Sequence, residues 1–116
     1  MLELPILEKK LLSAWSRETS YLPDEWSTEN PARWQCAVTA IVVQELFGGD
    51  ILKCNVSGEG SSHFYNIVRN GELVDFTRSQ FNEDSIFSAD KIVTLESIFS
   101  HPDTVLRYKK LKGLLF

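Results

Sequence analysis

The segment from Gln35 to Phe47 constrains the fold most, because its small and aliphatic residues leave almost no polar face. These residues are Ala37, Val38, Ala40, Ile41, Val42 and Val43. A helix that is apolar on nearly all sides has to be covered by other elements. Gly48 and Gly49 supply its end, since glycine adopts the left-handed conformation that closes a helix. The sequence therefore predicts a central, buried helix over residues 35–47.

Length and charge narrow the class of protein. A chain of 116 residues is long enough for one hydrophobic core, and we predict a single domain over residues 1–116. The net charge of -4 gives no general attraction to polyphosphate, which argues against nucleic-acid and anionic-membrane partners. The basic segment 107–112 is interpreted as the solvated face of a last helix.

The N-terminal segment and the spacing of the cysteines predict a cytoplasmic protein. Charged residues interrupt the apolar positions of the N-terminal segment before a signal peptide's apolar region can form; they are Glu3, Glu8, Lys9 and Lys10. No run approaches the roughly 18 apolar residues that span a bilayer. The two cysteines lack the CxxC spacing of a disulfide framework or zinc ribbon and fit a reducing compartment. We expect no cofactor.

The flanking segments predict an α+β fold in which N-terminal helices pack on a small antiparallel sheet and a C-terminal helix follows. A first helix is predicted over residues 3–17, with an apolar face formed by Ile6, Leu11, Leu12 and Trp15. An irregular connection should follow over residues 20–33. Strands are predicted over 51–56, 63–68, 72–77 and, at an edge, 91–93, with a turn over 57–61. A short helical turn over 94–99 precedes a helix that starts at Asp103 or Thr104.

The hairpin between the second and third strands has two possible registers. A two-residue turn at Asn70-Gly71 would leave His63 and Asp75 on opposite faces of the sheet. A type I turn followed by Gly71 in the left-handed position of a bulge gives a different set of partners. It pairs Val68 with Glu72, Tyr65 with Asp75, and His63 with Thr77. His63 and Asp75 then share a face with Cβ atoms roughly 7 Å apart, and we predict this bulged register.

Cys36, His63 and Asp75 together indicate nucleophilic chemistry on an amide. A thiol reacts as its thiolate, which the positive end of a helix and a neighbouring imidazolium both favour. A histidine can hold that thiolate and then protonate the leaving amine, while a carboxylate fixes the imidazole tautomer. Cys36 starts the predicted helix, and His63 and Asp75 lie on the hairpin. We predict the roles of nucleophile, acid/base and orienting group for them in that order.

Four further residues are candidates for oxyanion or substrate binding. The side-chain amide of Gln35 could join the backbone N–H of Cys36 in binding the oxyanion. Trp34 could form a wall of the site, and Asn66 could donate a hydrogen bond within it. Arg78 could neutralise a nearby acid or hold a substrate carboxylate, and structural pairing is the simpler reading.

Each of these residues also has a structural interpretation. A cysteine on an apolar helix is usually a core residue, and so is Cys54 in our reading. His63 could be an ordinary strand residue, and Asp75 a turn or backbone cap. A metal site formed by Cys36, Cys54, His63 and Asp75 is disfavoured because no short chelating pair is present, so we predict no metal.

Three blocks resemble the YunG-like family of small bacterial proteins over roughly residues 20–112. They are residues 34–49 (WQCAVTAIVVQELFGG), 62–66 (SHFYN) and 74–81 (VDFTRSQF). That family is in turn similar to the papain/transglutaminase-like superfamily, which implies a papain-like core and a Cys-His-Asp site carried by Cys36, His63 and Asp75. Trp34 stands where the resemblance leads one to expect a small residue, often glycine.

Together these observations favour a cysteine hydrolase or acyltransferase that acts on an amide or thioester bond. Its substrate would be a small peptide, a small amide or a protein. A non-catalytic binding domain that keeps the fold is the alternative.

Overall fold

The computed structural model describes residues 3–58 and 62–116. In this part of the chain four helices accompany one four-stranded antiparallel sheet, which confirms the α+β class. The helices are α1 (Leu4–Ala14), α2 (Cys36–Phe47), α3 (Leu95–Phe99) and α4 (Pro102–Leu115). The strands are β1 (Asp50–Val56), β2 (Ser62–Ile67), β3 (Leu73–Val74) and β4 (Phe87–Val93). None of the helices in the described residues is long and apolar enough to cross a membrane.

Helix α2 is the centre of the molecule, as predicted. Its buried residues are Cys36, Val38, Thr39, Ala40, Ile41, Val42 and Val43. It packs against β2 on one side and α4 on another. Val38 and Val42 belong to a cluster with residues of α1 and α4, whereas Ala40 and Ile41 join Ile51 of β1 in a second cluster. Full burial of each large aliphatic side chain contributes about 1.5–3 kcal/mol, so the covering of α2 is a main source of stability.

Helix α1 is shorter than predicted, and of the predicted apolar face Leu11 and Trp15 are buried. It ends at Ala14, and its buried residues are Leu7, Leu11 and Ala14. Ile6 and Leu12, which were assigned to the apolar face, are 45% and 52% exposed. Positions 7, 11 and 14 follow the helical period closely, whereas positions 6 and 12 lie to either side of that stripe.

The sheet has the strand order β3-β2-β1-β4. Asn66 pairs with Val74 and Ile67 with Leu73, which is the predicted bulged register. Gly71 adopts φ +90°, and its N–H donates to the carbonyl oxygen of Val68, as the bulge requires. The third strand covers two residues instead of the predicted 72–77, so Asp75 follows its end. The turn predicted over 57–61 falls partly outside the described residues.

The C-terminal part differs from the prediction in three details. Strand β4 extends back to residue 87, and α4 begins at Pro102, because proline suits the first turn of a helix. Arg107 is buried and not part of a solvated face. Its Nε donates to Asp103 at 2.7 Å and its guanidinium also donates to the carbonyl oxygen of Thr19 at 3.3 Å. These hydrogen bonds allow the charge to be buried.

At Gly49, just after α2, the chain passes close to the backbone of Ile67. Gly49 lies at φ +81°, and a Cβ there would collide with the carbonyl oxygen of Ile67. We expect Gly49→Ala to lower the free energy of unfolding by at least about 2 kcal/mol, because left-handed strain and a backbone clash add. Gly71→Ala is the matched control, since its φ is also positive but its Cβ would meet open space. Urea unfolding followed by circular dichroism measures both, and equal losses would contradict the role of the clash.

Candidate active site

Cys36 is the first residue of α2 and follows a turn with an unusual backbone conformation. Trp34 has φ +61°, in the left-handed region that favours glycine. Its backbone N–H donates to Oε1 of Gln80 at 3.0 Å, which holds the turn in place. Cys36 is 8% exposed. Because Cys36 begins α2, its thiol lies at the positive end of the helix, where backbone N–H groups have no intrahelical partners.

His63 and Asp75 are joined by a short hydrogen bond. Nε2 of His63 lies 2.7 Å from Oδ2 of Asp75, and both side chains are buried. The same oxygen accepts a hydrogen bond from Nε of Arg78 at 2.9 Å. Arg78 therefore neutralises the carboxylate on its exposed side, and Asp75 anchors the ring that it contacts.

Aromatic rings fix the imidazole of His63 from several directions. Phe81 and Phe87 meet it edge-on, with ring centroids 4.9 and 5.7 Å away, and Tyr65 stacks at 6.1 Å. The guanidinium carbon of Arg78 lies 3.6 Å from the centroid of Phe87. This packing leaves the ring little freedom to rotate and shields its bond to Asp75 from water.

The electrostatics of His63 favour its protonated form. Burial lowers the pKa of His63, but the hydrogen bond to Asp75 and the interaction with Cys36 outweigh burial and raise the pKa to about 9. Nδ1 is buried and makes no hydrogen bond within the described residues. Since Asp75 occupies Nε2, Nδ1 is the nitrogen left for the thiol. Cys36 acts on the charge of the ring without a formed hydrogen bond between the two side chains, and such bonds are often loose in unliganded sites.

The side chains of Gln35 and Asn66 are engaged in the core. Gln35 is fully buried, donates to the carbonyl oxygen of Ser16 at 3.0 Å and accepts from Thr19 at 2.8 Å. Asn66 donates to the carbonyl oxygen of Ala40 at 2.9 Å and so ties β2 to α2. Both residues position the elements that carry Cys36 and His63.

A cavity of about 600 Å³ opens beside Cys36. Trp34 lines it, in edge contact with Tyr21 at a centroid distance of 5.9 Å. The other apolar lining residues are Ala37, Phe64, Val93 and Ile98. A space of this size accommodates a small organic molecule or a short peptide segment.

Cys54 has a different environment from Cys36. It is 2% exposed, and burial together with the charge of Asp90 raises its pKa to about 11. It stays a core thiol, as predicted. Across residues 3–58 and 62–116, no three His, Cys, Asp or Glu side chains are grouped to hold a metal ion.

Gln80 lies at the site but was not among the sequence candidates. Its Oε1 accepts a hydrogen bond from the backbone N–H of Trp34. Gln80 is buried, and its Nε2 has no hydrogen-bond partner in the described chain. The next residue, Phe81, contacts His63. The block at residues 74–81 pointed to this segment, but the contact with Trp34 spans 46 residues and no local pattern reveals it.

The raised pKa of His63 predicts a pH dependence of stability. Unfolded histidine titrates near pH 6.5, whereas folded His63 titrates near pH 9. The folded state therefore binds this proton more tightly, and the resulting stabilisation is complete below about pH 6.5 and lost as pH rises through about 9. We expect the free energy of unfolding to fall by on the order of 2 kcal/mol over that interval. In His63→Gln this fall should disappear.

Denaturant unfolding at a series of pH values measures the effect, with His101→Gln as the control because His101 is exposed at the start of α4. NMR titration of the His63 ring gives a second readout that survives a loss of stability. Asp75→Asn should move its pKa back toward 6.5. A wild-type ring that already titrates at 6.5 would contradict the coupling.

Comparison with known proteins agrees with the resemblance of the three blocks. Residues 3–116 match the model of a family described as "YunG protein". A relative from Bacillus subtilis (strain 168), "Uncharacterized protein YunG", is 46% identical over 71 residues, which are 61% of this chain and 56% of the relative. The match thus spans little more than half the length of that relative. No solved structure matches the chain significantly. The family match covers nearly the whole sequence, and the chain therefore belongs to the YunG protein family.

Proposed function

We propose that the protein is a cysteine hydrolase or acyltransferase that acts on an amide or thioester bond. One observation carries the proposal: Asp75 holds Nε2 of His63 at 2.7 Å while Cys36 raises the pKa of the same ring. These contacts support the roles of nucleophile for Cys36, acid/base for His63 and orienting carboxylate for Asp75. The resemblance to the papain/transglutaminase-like superfamily supports the same reading, and we propose a papain-like core for the fold.

The first step is attack by the thiolate of Cys36 on the substrate carbonyl carbon. A carbon–sulfur bond forms, and the carbonyl π electrons move onto oxygen to give a tetrahedral oxyanion. Protonated His63 stabilises the thiolate before attack, since its pKa of about 9 keeps it charged at neutral pH. Asp75 and Arg78 hold the imidazolium in one orientation through the bonds described above.

The second step is collapse of the oxyanion. The carbon–nitrogen or carbon–sulfur bond of the substrate breaks, and His63 gives its proton to the leaving amine or thiol. A thioester to Cys36 remains. Neutral His63 then takes a proton from water, which hydrolyses the thioester, or from an amine that accepts the acyl group. Both outcomes use the same residues, so the acceptor decides between hydrolysis and acyl transfer.

Gln80 is the best candidate for an oxyanion donor besides the backbone N–H of Cys36. The side chain of Gln35 is committed to Ser16 and Thr19. Gln80 has a buried, unpartnered Nε2 beside the loop that carries the nucleophile. A buried amide without a partner costs about 1–3 kcal/mol, and an oxyanion would supply the missing acceptor. We propose that Gln80 takes the role that the sequence suggested for Gln35.

A non-catalytic binding domain is the second candidate. The complete burial of the His63 ring favours it, because a ring sealed from solvent can be a structural anchor. The cavity beside Cys36 would then bind a ligand without turnover. Reactivity of the thiol separates the two candidates.

Cys36 should be the reactive thiol of the chain. We expect iodoacetamide at pH 7 to alkylate Cys36 at least about tenfold faster than Cys54, because Cys36 faces a cavity and lies near the charge of His63, whereas burial raises the pKa of Cys54 to about 11. His63→Ala should slow alkylation of Cys36 by about tenfold. Mass spectrometry of the labelled peptides measures both rates, and Cys36→Ser and Cys54→Ser isolate each thiol. Slow, equal labelling would remove the basis for a nucleophile.

Gln80→Met should separate oxyanion binding from a structural role. A 4-nitrophenyl ester acylates Cys36 through an oxyanion, whereas iodoacetamide reacts by displacement without one. We expect Gln80→Met to lower the acylation rate by about tenfold to a hundredfold. The rate of alkylation should stay within about twofold if the loop is intact, since thiolate reactivity is set by the local charges. An equal fall in both rates would mean that Gln80 only supports the turn at Trp34.

A further inference from the structure

The cavity beside Cys36 is lined by apolar side chains and by a lysine. Phe64, Val93 and Ile98 form apolar wall, and Lys53 enters the lining from β1. Nζ of Lys53 lies 5.8 Å from the centroid of Phe64. Cys36 is part of the same lining. A ligand that reaches the thiol therefore has aromatic and aliphatic surface along its length and an ammonium group within the same space.

Lys53 faces a second cation across the sheet. Lys91 of β4 lies directly across from it in the sheet. Like charges at directly opposed positions are destabilising. No salt bridge in the described chain includes either lysine. In a protein of net charge -4, with 16 acidic residues, two neighbouring lysines that form no ion pair within residues 3–58 and 62–116 are a local site for an anion.

The remaining charges of the cavity neutralise each other. Arg107 donates to Asp103 at 2.7 Å, and its other nitrogens donate to Thr19 and Thr104. His101 lines the rim and is exposed. The guanidinium and the carboxylate thus serve the fold of α4, and Lys53 is the cationic lining residue that remains for a ligand.

We propose that the cavity binds an anionic acyl group: an amide or thioester whose apolar or aromatic acyl portion carries a carboxylate. The carboxylate would lie at Lys53, assisted by Lys91, and the reacting carbonyl at Cys36. This inference rests on the proposed function and adds the class of substrate. Cys36 attacks and His63 protonates the leaving group as described above, so the charged group takes no part in the bond changes.

Two esters with the same leaving group test the charge preference. They are the 4-nitrophenyl esters of phenylacetic acid and of 4-carboxyphenylacetic acid, whose rigid ring prevents the carboxylate from attacking its own ester. Nitrophenolate release is measured against Cys36→Ser to subtract background hydrolysis. We expect the wild-type protein to react about tenfold faster with the carboxylated ester, because a charge-assisted bond forms at Lys53. High salt should reduce this ratio.

Lys53→Gln should bring the ratio of the two rates to about one. Lys109→Gln is the matched control, since Lys109 is an exposed lysine of α4 outside the cavity lining, and it should leave the ratio unchanged. Equal rates for the two esters through Cys36, or a ratio that survives Lys53→Gln, would overturn the substrate class alone. Failure of both esters to react faster than with Cys36→Ser would overturn the proposed function.

Discussion

The burial of α2 on every side is the constraint from which the rest of the structure follows. One side of this helix needs β2, and the other needs α1 and α4, so the sheet and the flanking helices are held in place by a common partner. At its N-terminal end, the first N–H groups of the helix lack intrahelical acceptors and need partners from elsewhere. That end carries Cys36 and opens on the cavity. The middle of α2 thus provides core packing, and its first residue is the candidate nucleophile.

The buried polar groups that lack partners concentrate at the same end. Within the described residues five such side-chain atoms occur, and three of them belong to His63, Asp75 and Gln80. Each costs about 1–3 kcal/mol when nothing satisfies it. A fold selected for stability alone would pair or remove these groups. Asp75 contacts His63 and Gln80 contacts Trp34, so these atoms lie near the start of α2, where a bound ligand could supply partners for Nδ1 of His63 and Nε2 of Gln80.

Local patterns predicted the parts of the structure that depend on short-range chemistry. The apolar run of α2 and its glycine end have a helical signature, and a turn with Gly71 fixes the register that brings His63 to Asp75. Long-range contacts escaped prediction. The burial of Arg107 depends on Thr19, 88 residues away, and the position of Gln80 depends on Trp34. The sequence shows neither partner, since a side chain's acceptor is set by packing and not by spacing.

The conformation of Trp34 depends both on a local turn and on long-range contacts. A left-handed residue is needed before Gln35 so that the chain can turn into α2, and glycine would adopt this conformation at lower cost. A tryptophan there accepts strain of about 1–3 kcal/mol. Its backbone N–H is bound by Gln80, as that of glycine would be, but its ring also donates to Glu25 at 3.1 Å and lines the cavity against Tyr21. The strain is therefore offset by contacts that glycine could not make. Because those contacts form the wall of the cavity, the residue that departs from the expected pattern is also one that shapes what the site can bind.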